Sequence, residues 1–269
     1  MLAATGLMAC SSDDKNDVKE EPRLMIVDVL GTTRAGAPTT TATLSSFSMN
    51  YESNQYNFAK TEPGETWSTN EWPDGVGSDQ KIDFYAYTGG TFNYNSGNPY
   101  VSFTVQETVA SQHDLLVAEH KQISYNDASG HVSLLFDHAC AAVRFTVQIS
   151  NTLHTQLGSD LTVNSIVLMN VNSNGKYHYS SKSWTDQSGS RPYTLTNAAI
   201  TVTTEPQQLS SNYLYMIPQT RAADGTTGTY LEISYERNGT KTATIPLNID
   251  WKAGESYPVE IKLGTTTIK

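Results

Sequence analysis

Cys10 is the residue whose surroundings most directly specify a reaction. It follows Leu7-Met8-Ala9 and precedes Ser11-Ser12-Asp13-Asp14-Lys15. An apolar run that closes on a small residue, then one thiol, then polar residues is the layout of a bacterial lipoprotein signal. There the cysteine sulfur takes a lipid and becomes the first residue of the mature chain. Residues 1–10 are read as such a signal, shortened, because no basic residue precedes the apolar run and the true start is expected upstream. The remainder is then expected outside the cytoplasm, held to a membrane by acyl chains rather than spanning it.

Other reactive groups lack partners in sequence. With Cys10 acylated, Cys140 is the second of two cysteines, and no disulfide is expected. Cys140 sits among Ala139, Ala141 and Ala142 and reads as a packing residue. The six histidines (113, 120, 131, 138, 154 and 178) have no metal-ligand spacing, so no metal site is expected. Asp137 and His138 are adjacent, which on a strand sends their side chains to opposite faces. Glu20-Glu21 lies where nothing tunes its acidity. There is no Gly-x-Ser-x-Gly, P-loop or Gly-x-Gly-x-x-Gly, so neither catalysis nor a cofactor is expected. A formal net charge of −10 disfavours nucleic acid and anionic membrane surfaces as partners. Two aromatic groups remain as candidates for stacking on sugar rings: Trp67 with Trp72 in a long loop, and Tyr177, Tyr179, Trp184 and Tyr193 around a polar connection. The competing role for these rings is to cap the ends of a sandwich.

The elements that would position such groups are strands. Tyr (15 of 269 residues), Thr and Ser are abundant, and no run repeats apolar residues at helical spacing. Residues 11–23 are charged and too poor in apolar side chains to order, a disordered tether. Leu24-Met25-Ile26-Val27-Asp28-Val29-Leu30 is almost continuously apolar, the pattern of a strand buried on both faces. The loop 31–38 follows, with Arg34 as its basic residue and a flexible, cuttable backbone. Strands are expected at 44–51, 82–87, 101–105 and 114–118. The polar stretch 119–131 marks a boundary, giving an N-terminal β-sandwich over 24–125 and a C-terminal one over 126–269. In the second, 132–136, 141–149, 161–171, 177–179, 200–202, 213–217, 229–237, 240–247 and 257–263 read as strands. Asn238-Gly239 supplies a type I′ hairpin turn between two of them.

The ordered series of the lipid-acceptor motif, the apolar strand before Thr32-Thr33-Arg34-Ala35, Ile82-Asp83-Phe84-Tyr85-Ala86-Tyr87, Asp114-Leu115-Leu116-Val117-Ala118, Leu135 to Phe145 and Trp251-Lys252-Ala253-Gly254-Glu255-Ser256-Tyr257 resembles the fimbrillin family, subunits of type V pili. The resemblance implies an all-β chain of two transthyretin-like antiparallel β-sandwich domains, exported as an outer-membrane lipoprotein and displayed on the cell surface in a fimbrium. It implies cleavage between Arg34 and Ala35 by an arginine-specific protease, loss of the strand 24–30, and filling of the groove by a donor strand from another pilus subunit. Only Gly264-Thr265-Thr266-Thr267-Ile268-Lys269 follows the last strand, short for a donor at ~3.3 Å per residue. An accessory tip or anchor position is therefore expected, with the surface ligand left open. The alternative is a glycan-binding surface lipoprotein that uses Trp67 and Trp72.

Overall fold

The computed structural model describes residues 22–32, 44–60, 66–95, 97–196, 198–223 and 228–268. The first nine strands are β1 (Leu24–Thr32), β2 (Ser46–Tyr51), β3 (Asn54–Ala59), β4 (Asn70–Glu71), β5 (Ile82–Tyr87), β6 (Thr91–Asn93), β7 (Tyr100–Thr104), β8 (Leu116–Ile123) and β9 (His131–His138). After them come β10 (Ala141–Ile149), β11 (Leu161–His178), β12 (Ser183–Thr196), β13 (Ile200–Val202), β14 (Gln207–Gln208) and β15 (Leu214–Met216). The last are β16 (Gln219–Arg221), β17 (Tyr230–Glu236), β18 (Thr240–Pro246), β19 (Ile249–Trp251) and β20 (Ser256–Leu263). Among the described residues two short α-helices, α1 (Tyr125–Ala128) and α2 (Asn151–Leu157), and a 3-10 turn at Val109–Ser111 interrupt this all-β chain. Each α-helix starts on a serine, Ser124 or Ser150, whose hydroxyl accepts the third amide of the turn. At four and seven residues they are too short for a periodic apolar stripe, so the sequence pattern does not announce them.

The first sheet runs β3-β2-β5-β8-β9-β1-β4. Its pairs are antiparallel except β1 with β9, which run parallel. The sheet nearly closes on itself, because the segment carrying β4 also reaches β3. The Ser68 N–H donates to the Ala59 carbonyl at 3.0 Å, and Asn70 Nδ2 donates to the Asn57 carbonyl at 3.1 Å. Inside lies an aromatic-rich core in which Phe47 stacks on Phe58 (5.2 Å) and meets Phe136 edge-on (5.3 Å).

In the second unit β10 is central. β20 runs parallel to it from Ala142↔Ser256 to Ile149↔Leu263, while β15 and β14 take shorter antiparallel stretches. The facing sheet is built on the β11–β12 hairpin with β17, β18, β13, β7 and β6, and a second core fills the space between. Residues 172–176 look like loop in sequence, splitting 161–171 from 177–179. In the fold they continue one strand, because Ser173 and Gly175 face inward and need no volume there. A Cβ on Gly175 would come within 2.9 Å of the Trp184 ring. The Asn238-Gly239 turn is as the sequence indicates, with φ of 54° and 99°.

The strands do not divide at 125/126. β9, from the far side of that point, pairs with β8 and β1 in the first sheet, and β7, from the near side, pairs with β11 in the second. The polar stretch 119–131 holds the end of β8 and the turn, closed by α1, that leads into β9 of the same sheet. The units part instead after β9, where only Ala139 and Cys140, both buried, precede β10. One consequence is that β5 is buried on both faces. Phe84 and Ala86 enter the first core, while Tyr85 and Tyr87 enter the second.

Candidate assembly site along the first strand

β1 is the element that the family resemblance implies is exchanged. Its ladder with β9 runs Ile26↔His131, Val27↔Val132, Asp28↔Ser133 and Val29↔Leu134, then resumes at Gly31↔Leu135 and Thr32↔Phe136. Leu30 is the extra residue of a bulge and is 68% exposed. On its other side β1 meets only β4, at Leu24↔Glu71 and Met25↔Asn70. A strand buried on both faces was expected at 24–30, and the fold corrects this. Met25 and Val27 are buried, Val29 packs partly against the core, and Leu24 and Leu30 are exposed. The near-continuous apolar run hides a period of two, because Leu24, Ile26 and Leu30 spend apolar surface on the outer face. Nor is β1 central in its sheet. It is next to last, and β4 bridges the seam.

Several contacts fix where β1 starts. Arg23 is half-buried, with Nη2 donating to the Val76 carbonyl at 2.9 Å and Nη1 to Ser78 Oγ at 3.1 Å. Its guanidinium lies 5.6 Å from the centre of the Tyr125 ring, and its carbonyl accepts from the Trp72 N–H at 2.6 Å. Arg23 was expected in the disordered tether; these bonds make it an anchor. Gly130 provides the other fixed point. Its carbonyl accepts from the Ile26 N–H at 2.9 Å. Its φ is +80°, and a Cβ there would sit 2.4 Å from the Leu24 carbonyl oxygen. The chain can therefore lie this close to β1 only with glycine at this position. In sequence Ser129-Gly130 belongs to the polar stretch taken as a domain boundary; the Ser124 that caps the turn ahead of it is the available signal. On the outer face His131 Nδ1 lies 2.8 Å from Asp28 Oδ2, an exposed pair of small weight.

Cys10, Arg34, Ala35 and residues 11–21 lie outside the described residues. The tryptophans do not form a shared face. Trp72 is 2% exposed, packed edge-on against Phe84 and Tyr125, and is corrected from glycan contact to core. Trp67 is half-buried, edge-on to Phe47, with Lys60 Nζ 4.6 Å from its ring centre. Trp184 is held by its Nε1, which donates to the Ala139 carbonyl at 2.8 Å. His138 pairs with Asp114 rather than with its neighbour Asp137. Nδ1 and Oδ2 are 2.6 Å apart and both side chains are buried, while Asp114 Oδ1 accepts the Cys140 N–H. This is a structural clamp under the β9–β10 junction. Among the described residues no group of three His, Cys, Asp or Glu is placed to hold a metal ion, and no helix is long and apolar enough to cross a membrane.

No curated protein matches the chain. Solved structures do. A fimbrial protein from Bacteroides vulgatus aligns at TM-score 0.57 with 19% identity, over 92% of this chain and 96% of its own. A candidate cell adhesion protein from Bacteroides ovatus aligns at 0.56 with 13% identity, over 93% and 94%. Another from Bacteroides eggerthii aligns at 0.56 with 14% identity, over 93% and 88%. At these identities the likeness is one of fold. The fimbrillin-like family model, in contrast, matches the sequence itself over residues 27–269, from within β1 to the end. The chain belongs to the fimbrillin-like family.

Proposed function

We propose that this protein is a non-enzymatic, cell-surface pilus subunit that joins its neighbours by exchanging β1. In this reading Cys10 carries the lipid that holds the precursor at the outer membrane, and an arginine-specific protease cuts between Arg34 and Ala35. A donor strand from another subunit then takes the place of Leu24–Leu30. The observation that carries it is the way β1 is held. It places Met25 and Val27 in the first core, yet most of its length is hydrogen-bonded only to β9. Two fully buried side chains at about 1.5–3 kcal/mol each are enough to make an empty groove unfavourable. A ladder on one side alone leaves a modest barrier to withdrawal. An incoming strand that alternates like Met25-Ile26-Val27 would restore both the backbone bonds and the core contacts. An accessory place in the filament, tip or anchor, belongs to the same proposal. Tyr257–Leu263 is engaged along β10 and Ile268 is buried, so that stretch is occupied within its own subunit.

Limited digestion with an arginine-specific protease, followed by intact mass and size analysis, tests this. The expected product is a folded body beginning at Ala35 that has released the segment before it and forms new oligomers. Arg23, bound to Val76 and Ser78, should resist cutting until β1 leaves. A body that is cut at Arg34, retains β1 and stays monomeric in the presence of added 24–32 peptide would refute exchange.

A further inference from the structure

Four segments meet beside the β2–β3 turn to form a cavity of about 310 Å³, and none of its residues belongs to the strand-exchange site. Tyr51 ends β2 and Glu52 begins the turn, Asp83 and Tyr85 come from β5, Gln122 from β8, and Tyr94 from the loop between β6 and β7. The volume falls at the lower end of the ~300–1,000 Å³ typical of small-ligand sites. The rings differ in setting: Tyr85 is buried, Tyr51 is half-buried, and Tyr94 is 44% exposed.

The polar groups are prearranged. Asp83 Oδ1 accepts from both the Gln122 backbone N–H (2.9 Å) and Gln122 Nε2 (3.1 Å), and Oδ2 lies 3.4 Å from the Tyr85 hydroxyl. Two donors occupy Oδ1, whereas Oδ2 keeps accepting capacity for another hydroxyl. Gln122 holds a φ of +55° opposite an irregular step between Ile82 and Phe84, so the backbone here is bent out of regular pairing to make the clamp. Burial first, then the charge of Asp83, pushes the Tyr85 hydroxyl up to about 12. It therefore stays neutral and serves as both donor and acceptor. Gln80 and Glu52 also line the cavity, as does Lys81, whose Nζ lies 3.9 Å from Asp127 Oδ2.

We infer that this cavity binds a neutral pyranose ring of a glycan. A pyranose presents a flat C–H face suited to stacking on a tyrosine ring, and a rim of hydroxyls that each need a donor and an acceptor. The cavity brings three tyrosine side chains and a set of hydrogen-bonding groups to one place.

Saturation-transfer NMR on the full chain with methyl glycosides of glucose, galactose, mannose and N-acetylglucosamine, at millimolar concentration, tests the inference. At least one glycoside should receive transfer. Tyr94→Ala, at an exposed position, should weaken its binding about tenfold, as loss of one stacked ring does. Asp83→Asn should weaken it further by disturbing the clamp. Unchanged melting of the Tyr94→Ala protein separates lost binding from lost folding. The inference is overturned by absence of transfer from every glycoside, by transfer unaffected in both variants, by loss confined to Trp67→Ala, or by preferential binding of N-acetyl-lysine methylamide. None of these results depends on whether β1 exchanges.

Discussion

Replacing Gly130 with alanine should loosen β1 without dismantling the rest of the sheet. Two separate penalties apply. At φ +80° any L side chain is strained, by about 1–2 kcal/mol. The new Cβ would also stand 2.4 Å from the Leu24 carbonyl oxygen and 3.0 Å from the Tyr125 ring, against an ordinary contact of 3.4–4 Å. Leu24 must move, and the bond from the Ile26 N–H to the Gly130 carbonyl weakens, a loss of about 0.5–1.5 kcal/mol. The dihedral strain remains whether or not β1 is seated, so it lowers global stability. The collision disappears when β1 lifts, so it lowers the free energy of local opening. Gly75→Ala is the control, because its φ is +75° and nothing lies within 4 Å of its would-be Cβ. Native-state hydrogen exchange read residue by residue distinguishes the two effects. In urea unfolding Gly75→Ala should lose about 1–2 kcal/mol, and Gly130→Ala about 1.5–3.5 kcal/mol, because unfolding relieves both of its penalties. Only Gly130→Ala should speed exchange at Ile26, by about 2–13-fold, with β2 and β5 unaffected. Equal exchange at Ile26 in the two variants, or uniform acceleration through the sheet, would refute the assignment of Gly130 as the seat of β1.

Met25→Ala should cost about 2–5 kcal/mol in chemical denaturation, whereas Leu24→Ala, at a 44% exposed site, should stay within about 0.5 kcal/mol. Asp114→Ala removes the acceptor of both His138 and the Cys140 N–H and should cost about 3–5 kcal/mol, read the same way. Burial pushes the hydroxyls of Tyr85 and Tyr193 up to about 12, from 10.0. Their stabilising contribution is complete below pH 10 and is lost as pH rises from 10 to 12, since the unfolded chain ionises first. Phenolate absorbance should therefore show a late group of tyrosines that titrates together with unfolding; a single smooth titration near pH 10 in a still-folded protein would contradict this.

Much of the fold is legible in residue order because alternation and turn chemistry are local. Asn238-Gly239 specifies its hairpin unaided, and Val143, Phe145 and Val147 declare their inner face. What stays hidden is set by distant partners. Nothing near Leu24–Leu30 reveals that β9, about a hundred residues on, lies beside it in parallel, or that a bulge turns Leu30 outward. Trp72 sits among turn residues and looks exposed, but Phe84 and Tyr125 enclose it. The split near 125 fails for the same reason, since polarity marks a solvent-facing turn equally well within a sheet as between domains. The pairing of His138 with Asp114 reaches across 24 positions, so its neighbour Asp137 is an uninformative guide.

The close succession of β9 and β10 has a mechanical meaning. β1 lies parallel to the first of these strands and β20 parallel to the second, with only Ala139 and Cys140 between. A pull entering through a ribbon seated on β9 would pass along one covalent line to β10 and out through its long partner. Ladders drawn lengthwise resist by many bonds strained simultaneously, whereas peeling breaks them one after another. The two-residue β4 seam is the shortest of these contacts and would part first.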